Sequence, residues 1–159
     1  MARKSIKSAI FFDQAIKTGW AVYSDASVVS GVEEFKTRRG ESPAMRFHHF
    51  SVWVGMMLDR YKPDICSYEM PHFRGGFATE LCVGFATRIQ EECAKRDVDC
   101  TNIHSATLKK HITGNGKSSK GDVIAAVKKK FSGIAIIDDN HADALAGLSK
   151  LIDDFIIPF

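Results

Sequence analysis

The chain has 159 residues, 45% hydrophobic and 26% charged, with a formal net charge of +3. This is enough chain to bury a core, and no apolar run nears the roughly 18 residues that a membrane span needs. The basic start "MARKSIK" runs into a short apolar stretch that ends at Asp13 without a small-residue cleavage site, so a cytoplasmic protein with no signal peptide is expected.

Residues 8–13, "SAIFFD", predict a buried strand closing on Asp13. A turn at Lys17-Thr18-Gly19 then leads into "GWAVYSD", and "SVVSGVEEF" follows, so an antiparallel meander is expected. Residues 41–61 carry Met45, Phe47, Val52, Met56 and Leu58 behind a Ser42-Pro43 start signal; they predict a long helix stopped by Lys62-Pro63. His48-His49 lies inside it with no carboxylate partner evident nearby and reads as surface or packing. "DICSYEM" predicts a fourth strand with Glu69 near its end. The Gly-bearing loop "PHFRGGFA" leads to a helix over 79–96, and "VDCTNI" is a fifth strand. Ser105 caps a short helix, and further helices span 120–131 and 139–151.

That order predicts an α/β fold in one domain over 1–159. A five-stranded mixed sheet combines the three-strand meander with two strands parallel to the first, flanked by helices. Sites in such sheets form where strands present their carboxyl ends.

Cys66, Cys82, Cys93 and Cys100 form no C-x-x-C pair and read as buried reduced thiols. The stretch "ITGNGKSSK" resembles a nucleotide-binding loop until its spacing is counted. A P-loop needs glycine five residues before Gly116, where His111 stands, so no nucleotide cofactor is expected. A phosphate contact of another kind remains, in a segment that gathers Lys109, Lys110, Lys117, Lys120 and Lys128 to Lys130. Such a block is either a solvated face or a guide for a polyanion.

The carboxylates favour the polyanion. Asp13 and Glu69 close two strands expected to be parallel, and "DDNHADALAGL" sets Asp139 and Asp143 four residues apart on one helical face, with Asn140 beside them. Acids converging on one edge repel unless cations neutralise them, and an all-oxygen set suits Mg²⁺. Two such ions make a clamp for in-line displacement at phosphorus. Singly, each acid is equally a turn former or a helix cap.

Four segments in order, "IFFDQAIKTGWAVYSD", "DICSYEMPHFRGG", "TLKKHITGNGKSSKGDV" and "DNHADALAGL", resemble RuvC-type Holliday junction resolvases, particularly the forms carried by phages. The resemblance implies an RNase H-like fold, a homodimer and Mg²⁺-dependent cutting (Mn²⁺ substituting) of opposed strands at a four-way DNA junction, with two ions per site. It places Asp13, Glu69 and Asp143 as catalytic metal ligands and Lys109 and Lys120 as phosphate contacts, Lys120 with a catalytic part. Where the family usually has Asp or His, Asn140 stands here, so the fourth ligand is open among Asn140, Asp139 and His141. Lys110, Lys117 and Arg74, with the backbone N–H groups of Ser118 and Ser119, extend the expected DNA contacts. Phe73 is a candidate wedge at the crossover; the alternative is a loop Phe folded onto the core. The small residues Ala78, Gly84 and Ala86 suit either a two-fold dimer contact or an internal face. Two rival functions stand: an RNase H-like nuclease acting on RNA or RNA–DNA hybrids, and a junction-binding module without catalysis.

Overall fold

The computed structural model describes residues 5–156; most of the basic start, residues 1–4, lies outside them. The strands are β1 (Ala9–Asp13), β2 (Lys17–Ser24), β3 (Ser27–Glu34), β4 (Ile65–Glu69) and β5 (Asp99–Ile103), in the sheet order β3-β2-β1-β4-β5. The meander is antiparallel, while β4 pairs parallel with β1 and β5 parallel with β4, as expected. The helices are α1 (Met45–Tyr61), α2 (Gly76–Lys95), α3 (Ser105–Thr113), α4 (Lys120–Lys130) and α5 (Asp139–Phe155).

Strand side chains alternate between faces, and each face has its own core. Ile10, Phe12, Val22, Cys66 and Tyr68 pack under Phe50, Val54 and Leu58 of α1 and Phe85 and Ile89 of α2. Ala9, Phe11, Ala21 and Ile65 face the other way, against α3, α4 and above all α5, whose Ala142, Leu145 and Leu148 are fully buried. Burying one such large apolar side chain contributes about 1.5–3 kcal/mol.

Several boundaries differ from expectation. Lys17, Thr18 and Gly19 belong to β2, because the turn is made earlier, by the Ala15 and Thr18 groups bonding each other. α1 begins at Met45; the residues behind Pro43 form a turn instead. It does end at Lys62, which takes a left-handed φ of 44° and donates its N–H to Leu58 O. Entered through Gly75, α2 starts at Gly76 rather than 79. His104, not Ser105, is the N-cap of α3, and α5 runs on to Phe155.

His49 does have a carboxylate partner: its Nε2 lies 2.8 Å from Glu41 Oε1, which the chain brings back over the first turns of α1. Two of the three small residues of α2 serve the inside, while Ala78 is exposed. Gly84 sits against the Phe47 ring, where a Cβ would stand 2.3 Å from the nearest ring carbon, and Ala86 is buried. Of the four cysteines, only Cys66 and Cys93 are buried; Cys82 is half-buried and Cys100 exposed. Among the described residues no helix is long and apolar enough to cross a membrane.

Candidate metal centre

Asp13 ends β1 and Glu69 ends β4, and the two strands are parallel neighbours with Phe12 opposite Tyr68. Strand parity then fixes where the acids point. Phe11 and Ile65 face α5, so Asp13 and Glu69, an even number of residues further on, turn to that same side. α5 crosses there and delivers Asp143. One carboxylate oxygen from each of Asp13, Glu69 and Asp143 lies within 4.8 Å of the other two.

Two glycines let α5 come this close. A Cβ on Gly19 of β2 would stand 1.9 Å from the Asn140 carbonyl oxygen, and one on Gly147 would stand 2.4 Å from the Phe11 ring. The first of these explains the glycine six residues after Asp13, which by spacing alone reads only as a turn.

The trio is electrostatically costly as it stands. Burial, then the charges of Glu69 and Asp143, push Asp13 well above the usual carboxylate range. Burial, then Glu69 and Asp139, push Asp143 up to about 7, against the pull of Lys109 and Lys120. Acids so placed hold a proton unless a cation takes its place. An oxygen-only donor set fits a hard divalent cation. Next to it, Gln14 donates from Nε2 to the Glu69 carbonyl at 2.6 Å, tying the two strand ends together. Its own Oε1 is buried with no hydrogen-bond partner among the described residues.

The other candidate ligands are placed differently. Asp139 accepts from Lys120 Nζ at 2.6 Å, and this bond holds it below the usual range. Asp139 still contributes its charge to both Asp13 and Asp143. His141 is buried with both ring nitrogens engaged: Nδ1 accepts from the Ile137 N–H at 3.1 Å, and Nε2 pairs with Ser30 Oγ at 2.8 Å. It fastens α5 to β3 and has no nitrogen left for a metal, which removes it as a fourth ligand. Asp138 caps α5 by accepting from the His141 N–H at 2.8 Å, and it pairs with Lys17 Nζ. Sequence reasoning passed over His72, whose Nε2 lies 3.2 Å from Glu69 Oε1. Its place three residues after the acid was the available signal.

The fields of Lys109 and Lys120 reach Asp143; Lys109 is half-buried, and Lys110, Lys117 and Lys120 are exposed. The loop between α3 and α4 is bonded to itself. Ser118 N–H donates to Asn115 O, Ser119 N–H to Asp122 Oδ2, and Lys117 N–H to Asn115 Oδ1. The expectation that the Ser118 and Ser119 N–H groups receive phosphate is therefore corrected: both are committed, the second to a capping box. Lysine side chains are what this loop offers. The basic block is also divided, since α4 separates Lys120 from Lys130 by about 15 Å at 1.5 Å per residue, and Lys130 pairs with Asp153. Phe73 is 80% exposed, so it is not folded onto the core, and Arg74 beside it is exposed too.

Carboxylates thus gather where β1 and β4 end, closed over by a helix, on a sheet of order β3-β2-β1-β4-β5. The family model described as crossover junction endodeoxyribonuclease RuvC matches residues 14–148, and the chain belongs to that family. The RuvC protein of Rickettsia bellii is 29% identical over 139 residues, covering 80% of this chain and 85% of its own length. That of Rickettsia prowazekii is 26% identical over 137 residues, covering 82% and 86%. Among solved structures, Thermus thermophilus RuvC in complex with a Holliday junction substrate superposes with a TM-score of 0.74 at 19% identity, covering 88% of this chain and 89% of that one. The yeast mitochondrial Holliday junction resolvase gives 0.60 at 10% identity, covering 97% and 86%. These two likenesses are of fold.

Proposed function

We propose that the protein is a crossover junction endodeoxyribonuclease that resolves four-way DNA junctions by metal-dependent phosphodiester hydrolysis, working in the cytoplasm as a homodimer of one-domain subunits. The observation that carries this reading is the meeting of Asp13, Glu69 and Asp143, within 4.8 Å, in a member of the RuvC family.

Asp13, Glu69 and Asp143 would hold two Mg²⁺ ions, for which Mn²⁺ would substitute, with Asn140 or Asp139 completing the set. The ions would activate water and neutralise charge on the leaving oxygen. Water adds to the scissile phosphorus as the P–O3′ bond breaks, leaving a 5′-phosphate and a 3′-hydroxyl. Lys109 and Lys120, whose fields already reach Asp143, hold the phosphate over the acids. Lys110 and Lys117 bind flanking phosphates. The exposed Phe73 stacks on a base at the crossover, worth about 1–3 kcal/mol toward opening it, and Arg74 steadies the strand beside it. A two-fold dimer matches the symmetry of the junction and presents one centre to each of two opposed strands.

The test is cleavage of a synthetic four-way junction in Mg²⁺, beside flap, linear duplex and RNA–DNA hybrid substrates, with Asp13→Asn as control. Paired nicks on the junction alone, absent in the variant, are expected. Preference for the hybrid would instead favour an RNase H-type activity, because hybrids are read through their 2′-hydroxyls and junctions through geometry. Binding without cutting in either metal would overturn the enzyme reading.

A further inference from the structure

The face of the sheet opposite the acid trio carries a second cluster of ligand atoms. Cys66 of β4 and Cys100 of β5 are direct partners in the parallel register, so their side chains stand abreast on one face. Cys66 lies on the face covered by α1 and α2, and Cys93 comes down onto it from α2. The three sulfurs all lie within 4.8 Å of one another. Cys66 and Cys93 are wholly buried, while Cys100 opens to solvent on the edge strand.

Three sulfurs ligating one zinc at about 2.3 Å in tetrahedral geometry stand about 3.8 Å apart. The cluster reaches that spacing by drawing in about 1 Å at most, within the reach of side-chain rotation at an edge strand. We propose that Cys66, Cys93 and Cys100 form a thiolate site for a thiophilic d¹⁰ divalent cation of the zinc kind, with solvent as fourth ligand on the open Cys100 side. Among the described residues no His, Asp or Glu joins the cluster, so the protein supplies sulfur alone and selects against the hard cations that suit the carboxylates.

The three thiols give up their protons to solvent when the cation enters. Three thiolates and a dication leave one negative charge, which the solvent on the open Cys100 side screens. The site would staple β5, paired on one side only, to β4 and α2. On β4 it lies three residues before Glu69 and on the other face.

The test uses the full chain, kept reduced under argon in excess Mg²⁺, titrated with Co²⁺ as spectroscopic probe. One equivalent should raise thiolate-to-cobalt charge-transfer bands in the near ultraviolet, which carboxylate ligands do not produce, and one equivalent of Zn²⁺ should remove them. Cys100→Ser should lose the bands and Cys82→Ser should keep them. Zn²⁺ should raise the wild-type Tm and leave that of Cys100→Ser unmoved. Absence of the bands in wild-type protein overturns the proposal without reference to any variant. So does their survival in Cys100→Ser, or closure of two of the three thiols as a disulfide under these reducing conditions.

Discussion

Gly19 of β2 lies directly beneath the Asn140 carbonyl at the start of α5, so close that a Cβ there would stand 1.9 Å from the oxygen. The obstructing atom is backbone and cannot rotate away. Gly19→Ala must therefore lift the helix that carries Asp143. We expect a loss of about 1–3 kcal/mol in stability, the usual range for overpacking, and a larger proportional loss of metal-dependent cleavage. Denaturant unfolding beside junction cleavage checks both; an unchanged cleavage rate would mean that α5 tolerates the shift.

Glu69→Gln removes one carboxylate from the trio and keeps its shape. Losing even a group that supports a ligand costs a metal site about 10- to 100-fold. Cleavage should therefore fall by at least about 100-fold, while junction binding holds or tightens as a negative charge near phosphate disappears. Band-shift and nicking assays on the same samples separate the two; loss of binding would count against Glu69 as a ligand.

Lys120 is paired with Asp139 at 2.6 Å in the free protein, on an exposed side chain. Such a pair contributes little, about 0–1 kcal/mol, so DNA phosphate can draw the lysine away from it. Each phosphate contact adds about 0.9 to the slope of log affinity against log salt. Lys120→Ala should reduce the slope by about that amount, with its deficit largest at low salt. Titrations of junction DNA from 50 to roughly 200 mM salt read it directly, and an unchanged slope would place the lysine away from DNA.

The metal-free protein should lose stability as pH rises. Asp143 titrates at about 7 in the folded chain against an ordinary 3.8, and Asp13 is raised as well. Between those values these two acids bind more protons in the folded state than in the unfolded one, so their contribution to stability is fullest below about pH 4 and is lost toward pH 7. Urea midpoints measured in chelator across that window should fall. Asp143→Asn should flatten the decline, and Mg²⁺ should restore stability at neutral pH.

Much of this protein was written locally. Short apolar segments bounded by turns declared five strands, an acid closed two of them, and Lys62-Pro63 stopped α1, because these signals depend on neighbours within a few residues. From strand order and direction it followed that Asp13 and Glu69 would share an edge, and the mismatch at His111 ruled out a nucleotide loop. Tertiary structure alone decided what came to lie opposite what. It turned Gly19 from a turn residue into the seat of α5, engaged both nitrogens of His141, brought Glu41 to His49, and committed the N–H groups of Ser118 and Ser119 to their own loop. It also drew Cys66, Cys93 and Cys100 together from separate elements. A periodicity records which face of an element is apolar, but not which distant element will cover it; that pairing is set by the packing of whole helices on the sheet.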